Sequence, residues 1–128
     1  MPKILIIGCG GVASVAIQKC AKKADVFSEI CIASRTVSKC DALKEKLERS
    51  GAVKAKITTA QVDADNVEEL IALIEREQPK AVLNLALPYQ DLTIMEACLA
   101  CKVDYIDTAN YEAEDTEDPA WRAVYEKR

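Results

Sequence analysis

The stretch Lys3-Ile4-Leu5-Ile6-Ile7-Gly8-Cys9-Gly10-Gly11-Val12-Ala13 decides the fold. Lys3–Ile7 reads as a strand whose apolar residues fall on both faces, as a buried parallel strand requires. Small residues then follow at the spacing G-x-G-x-x-A. Gly8 permits a tight turn out of the strand, Gly10 leaves the backbone bare, and Ala13 lets a helix pack close against the sheet. That helix is expected over residues 11–23. Val12, Val15, Ala16 and Lys19 would lie along one side, with Ala13 and Cys20 towards the sheet. A strand, a glycine turn and a helix inside one βαβ unit separate this motif from an incidental glycine-rich turn.

Outward from that unit the pattern repeats. Strands are expected over 29–33, 56–62, 81–86 and 104–107, and helices over 39–50, 67–77 and 91–102. Ser38 is placed to cap the second helix, and Gly51 falls where a left-handed stop is wanted. Asn66 can cap the third helix, whose Leu70, Ile71 and Ile74 form an apolar face, and Pro79 ends it. Alternating short apolar strands and amphipathic helices imply an α/β fold: a doubly wound parallel sheet of Rossmann type in three layers. Right-handed crossovers on either side of the first strand give the order 3-2-1-4-5.

Composition narrows the class. The chain has 128 residues, the size of one domain, and half of them are apolar. The net charge is −4 with no basic block, so neither nucleic acid nor an anionic membrane is an expected partner. No apolar run approaches the ~20 residues that span a bilayer, and the apolar start is too short for a secretory signal. A cytoplasmic location is expected. Six cysteines within periodic segments suit reduced, packed thiols. The chain has no histidine, which removes imidazole as a base or ligand. Cys98 and Cys101 lie in an apolar helix without further ligands at zinc spacing, so no metal is expected.

The turn carries the chemistry. Free N–H groups of Gly11, Val12 and Ala13 at the helix start face outward with the helix dipole behind them, which suits a diphosphate. The second strand then selects the nucleotide. An NAD site usually ends that strand in a carboxylate that accepts from the ribose hydroxyls. Here the segment is Ala33-Ser34-Arg35-Thr36. Arg35 would attract a 2′-phosphate, and Ser34 and Thr36 could donate to it. NADP(H) is the expected cofactor, with NAD(H) possible; Arg35 as a solvated surface residue is the plain alternative.

Several segments carry a resemblance. They are the glycine turn, Ala33–Thr36, Val62-Asp63-Ala64-Asp65, the run from Asn84 through Leu85-Ala86-Leu87-Pro88-Tyr89-Gln90 to Asp91, and Tyr105-Ile106-Asp107-Thr108-Ala109-Asn110-Tyr111-Glu112. Together these resemble the N-terminal part of the saccharopine dehydrogenase-like proteins, and within them the carboxynorspermidine branch. The resemblance implies reductive condensation. An amine and an aldehyde form an imine, and NADPH delivers hydride to its carbon. In the polyamine branch the aldehyde is aspartate β-semialdehyde and the amine is 1,3-diaminopropane or putrescine; in the lysine branch the product is saccharopine. By position, Asp63 and Ala64 would lie near adenine. Ala86, Leu87 and Pro88 would approach the ribose and nicotinamide, and Thr108 and Ala109 would border the nicotinamide side. A doubly wound fold binds ligands at these strand ends.

Family members run far beyond this length, as homodimers with a separate substrate and dimerisation domain. Residues 1–110 are thus expected to form the dinucleotide-binding domain and 111–128 a tail leading to that second domain. Trp121 and Tyr125, four apart, would share one helix face against it. Alone, the chain is expected to bind cofactor and turn over little, because hydride transfer needs a substrate held at near-attack distance. No catalytic acid or base is assigned. Asp91 reads as a helix cap. A non-catalytic dinucleotide-sensing regulatory domain is the competing class; such domains usually carry an acid where Ser34-Arg35 stands. A degenerate domain serving only association is the third.

Overall fold

A computed structural model describes residues 2–51, 53–86 and 90–108 of the chain. Five parallel strands, β1 (Lys3–Ile7), β2 (Glu29–Ser34), β3 (Lys56–Gln61), β4 (Ala81–Asn84) and β5 (Asp104–Asp107), form one sheet in the order β3-β2-β1-β4-β5. Four helices alternate with them: α1 (Gly11–Ala21), α2 (Val37–Arg49), α3 (Val67–Glu77) and α4 (Asp91–Cys101). The expected order and layering are both present. Alternation along β1 sends Ile4 and Ile6 to one face and Leu5 and Ile7 to the other. The first pair packs with Ala13, Ile17 and Ala21 of α1 and Cys40, Leu43 and Leu47 of α2. The second packs with Leu70, Leu73 and Ile74 of α3 and Ile94, Ala97 and Cys98 of α4. The sheet is therefore sandwiched between two helical layers.

Register brings the working ends together. Ile7 pairs with Ala33 on one side and with Asn84 on the other. The carboxyl ends of β2, β1 and β4 thus lie side by side, and the chain leaves β1 and β4 towards opposite faces. A crevice opens there in a doubly wound fold.

In α1 Ala13 is buried against the sheet as expected, together with Ile17 and Ala21, and Cys20 is partly buried on the same core. Val12 and Val15, expected along another side, are exposed. Other local expectations need correction. Helix α2 begins at Val37 with Thr36 as its N-cap, so Ser38 lies inside the helix rather than capping it. In α3 Leu73 joins Leu70 and Ile74 in the core, and Ile71 is only partly buried. Strand β4 stops at Asn84, short of Ala86. The Asn84 Oδ1 accepts from the Ala86 N–H at 2.9 Å and folds the backbone out of the ladder. In α4 the N-cap is Gln90, and Asp91 is a buried first-turn residue, not the cap.

Candidate functional site

Gly8 is fixed by two constraints. Its φ is +112°, and a Cβ there would stand 2.8 Å from the carbonyl carbon and oxygen of Leu85. The turn after β1 and the strand end of β4 can approach this closely only without a side chain. Hydrogen bonds hold the approach: Gly8 N–H donates to Ala33 O and Leu85 N–H to Ile7 O, both at 2.8 Å. Gly10 behaves differently. Its backbone is extended, with φ −77° and ψ −165°, and a Cβ there would meet nothing within 4 Å. What its small size preserves is open space in front of the helix start. Helix α1 has no side-chain cap and no acid in its first turn. Its free amides are offered outward.

That space belongs to a cleft of about 450 Å³ bounded by the turn after β1, the end of β2, the loop after β3 and the turn after β4. Its apolar floor includes Ile7, Val62 and Ala64, all buried. Its polar lip includes Ser34, Arg35, Thr36, Lys39, Asp65 and Gln90. Bare amides, an apolar floor and a cationic lip are features that a dinucleotide site requires.

At the lip the Arg35 Nη2 donates to Asp63 Oδ1 at 3.1 Å and to Asp65 Oδ2 at 3.0 Å. The Asp63 hydrogen bond and charge push the Arg35 guanidinium further above its already high value. The Asp65 N–H donates to Asp63 Oδ1 at 3.0 Å. That bond, with Arg35, holds the Asp63 carboxyl below its ordinary value. Asp65 Oδ2 also accepts from Gln90 Nε2 at 3.3 Å, which ties the lip to the start of α4. On the far side, buried Asn84 donates through Nδ2 to the Tyr105 hydroxyl at 3.1 Å, which donates to Asp107 Oδ2 at 2.7 Å. Burial is the main cause that pushes this phenol up from its ordinary value. Tyr105 and Asp107 brace the ends of β4 and β5.

Of the residues expected at the site, Gly8, Gly10, Ser34, Arg35, Thr36, Ala64 and Ala86 line the cleft. Gly11 and Val12 are exposed at the helix start without lining it, and Ala13 is buried beneath as a packing residue. Asp63 acts on the cleft through Arg35 rather than by lining it. Thr108 is exposed after β5 and does not line it. Leu87, Pro88, Ala109 and the tail with Trp121 and Tyr125 lie outside the described residues. Lys39, Asp65 and Gln90 were not expected as site residues. Lys39 was legible, since one helical turn from Thr36 brings it back to the same lip; Asp65 and Gln90 meet only in three dimensions.

Cys9 lines the cleft and packs against the core that contains Cys40. Burial, with the neighbouring Cys9 thiol, pushes the Cys40 thiol up to about 12. Cys98 is likewise pushed up by burial to about 12. Among the described residues no three His, Cys, Asp or Glu side chains gather to hold a metal ion. No helix among them is long and apolar enough to cross a membrane.

Fold and cleft together define a dinucleotide-binding domain of Rossmann type. The chain belongs to the saccharopine dehydrogenase NADP-binding domain family, whose model matches residues 4–126. It is 43% identical over 130 residues to carboxyaminopropylagmatine dehydrogenase of Synechocystis sp., covering 100% of this chain and 31% of that protein. It is 43% identical over 109 residues to carboxynorspermidine synthase of Vibrio alginolyticus, covering 83% of this chain and 26% of that protein. Among solved structures, saccharopine dehydrogenase (L-Glu forming) of Saccharomyces cerevisiae superposes with a TM-score of 0.67 at 16% identity, over 97% of this chain and 24% of that one. That likeness speaks for the fold. The chain spans less than a third of the length of the curated relatives it matches.

Proposed function

We propose that this chain holds NADP(H) for an oxidoreductase that reduces the imine formed from an amine and an aldehyde, with the substrate-binding part in a longer protein. The observation that carries the reading is the corner Ser34-Arg35-Thr36, which faces the same cleft as the bare start of α1. A carboxylate at that corner would suit NAD(H); an arginine and two hydroxyls suit a 2′-phosphate. The curated relatives are named for a carboxylated polyamine and a carboxylated agmatine derivative, which supports an amine of that class as co-substrate.

When bound, NADPH supplies hydride to the imine carbon. The chain's own residues bind and orient. Amides of Gly10, Gly11, Val12 and Ala13 donate to the diphosphate, and Gly8 keeps the two loops close enough to frame it. Ser34, Arg35 and Thr36 hold the ribose phosphate. On this reading Asp63 and Ala64 would lie near adenine, Ala86, Leu87 and Pro88 would approach the ribose and nicotinamide, and Thr108 and Ala109 would border the nicotinamide side. NAD(H) occupies the same cleft more weakly. Residues 1–110 form the cofactor domain and 111–128 lead to the substrate and dimerisation domain of a cytoplasmic homodimer. Residues 1–128 alone bind cofactor with little turnover.

Titration with NADPH and NADH, before and after Arg35→Ala, tests the reading. A charge-assisted hydrogen bond contributes about 1.5–3 kcal/mol, and an exposed arginine falls at the low end, so NADPH affinity drops about tenfold while NADH changes little. An unchanged ratio of the two affinities removes the NADP assignment. Dominant binding of AMP or ATP instead makes the domain a regulatory sensor.

A further inference from the structure

Two cations line the ribose end of the cleft, and their circumstances differ. Arg35 is engaged with two carboxylates, Asp63 and Asp65. Lys39, exposed on the first turn of α2, makes no ion pair with any described residue. Its backbone is set in place, with the N–H donating to Thr36 O at 3.1 Å, while its ammonium is free to reach a ligand. A phosphate dianion entering this corner meets Lys39 unopposed. At Arg35 it must face or displace two negative charges.

The two carboxylates are not equivalent. Asp63 accepts from the Asp65 N–H, and its own N–H donates to Glu69 Oε2 at 3.0 Å, so it belongs to the loop. The Asp65 carboxylate is held by side chains alone, those of Arg35 and Gln90. Its ion pair with Arg35 is half-exposed at both ends, with side chains 51% and 65% accessible. Such pairs are weak and exchange readily. Asp65 therefore takes up an Nη2 hydrogen that a phosphate oxygen could otherwise accept, and so exposed a pair can be displaced.

We propose that Lys39 and Asp65 set the preference for a 2′-phosphorylated ribose in opposite directions: Lys39 receives the phosphate, and Asp65 competes with it for Arg35. This rests on the NADP(H) reading above. The arrangement moderates NADPH affinity rather than maximising it, which suits a cofactor that must leave after each turnover. It also links occupancy of the ribose corner to the start of α4, because displacing Asp65 from Arg35 alters the partner of Gln90.

Equilibrium titration of NADPH and NADH onto the full protein, as wild type, Lys39→Gln and Asp65→Asn, tests it. Both positions are exposed, and melting curves verify that each variant folds. Lys39→Gln is expected to weaken NADPH about fivefold and NADH less than twofold. Asp65→Asn is expected to tighten NADPH about two- to fivefold and leave NADH unchanged. 2′-AMP should follow NADPH, and 5′-AMP should follow NADH. If Lys39→Gln weakens both dinucleotides equally, its charge acts on the diphosphate at large and the proposal falls. If Asp65→Asn weakens NADPH or leaves it unchanged, there is no competition. Should Arg35→Ala collapse the preference while both new variants leave it intact, this inference fails and the NADP(H) reading stands. A wild type that does not prefer NADPH overturns both.

Discussion

The helix start of α1 and that of α3 solve one problem in two ways. Every helix begins with amides that have no partner inside it. At α3 the protein supplies the partners: Asn66 Oδ1 accepts from the Glu69 N–H at 3.1 Å, and Glu68 and Glu69 place negative charge in the first turn. At α1 it supplies none, with neither a side-chain cap nor a first-turn acid. The other two helices share the missing cap, although α4 has the acid Asp91 in its first turn. Thr36 of α2 and Gln90 of α4 are also N-caps without a side-chain cap bond. Gly10, Thr36 and Gln90 all line the cleft, whereas Asn66 does not. Among the described helices, the one start whose N-cap lies away from the cleft is also the one with a side-chain cap bond.

The contrast breaks most severely at Gly8. Substituting Gly8→Ala forces a side chain onto a backbone at φ +112° and against the Leu85 carbonyl at 2.8 Å. Strain of this kind costs about 1–3 kcal/mol before the contact is relieved. A loss of about 3 kcal/mol in urea unfolding is expected, with NADPH binding lost as the turn shifts. Retention of both stability and binding would mean that the turn is not held against β4 as described.

Gly10→Asp converts α1 into a helix of the α3 kind. The backbone at position 10 is extended and accepts any residue, and the space before it is open. An aspartate can cap α1 and place its charge at the positive end of the dipole, raising stability by up to about 1 kcal/mol. The same carboxylate occupies the diphosphate's place and repels it, so NADPH affinity should fall tenfold or more. Stability and binding thus move in opposite directions. Calorimetry of unfolding and of binding on the same sample reads both, and a parallel fall in the two would show that residue 10 is needed for the fold itself.

How much of this was open to reading from the chain follows the same division. The glycine turn, the strand order, the Asn66 cap and the bounds of β5 all depend on local residue types at fixed spacing, and each is where the sequence puts it. The buried face of α1 belongs with them, since the G-x-G-x-x-A spacing already sets Ala13 against the sheet, where it is buried. The end of β4 depends on one Asn84 side chain choosing its own backbone over the ladder. The lip of the cleft is least legible. Arg35, Asp63, Asp65 and Gln90 come from the ends of β2, β3 and α4, and no spacing along the chain predicts that a guanidinium expected to await a phosphate already rests on two carboxylates.

The smallest effect is also the most informative about how the two helix starts are connected. Asn66→Ala removes the cap of α3 and should cost about 1 kcal/mol, a fall of about 4 °C in Tm for a domain of this size. Asn66 does not line the cleft, so a purely local cap leaves NADPH and NADH affinities as they were. Yet the Glu69 whose amide Asn66 caps also accepts, through its own carboxylate, from the Asp63 N–H, and Asp63 holds Arg35. If the loss of the cap lets Glu69 drift, Asp63 loosens and Arg35 is released towards the phosphate, so NADPH binding tightens while stability falls. Measuring the NADPH to NADH ratio in Asn66→Ala therefore distinguishes a cap that serves only its helix from one that also sets the tension on the nucleotide corner. Because Asp63 retains its bond from the Asp65 N–H, the local outcome is expected, with the ratio unchanged to within about twofold.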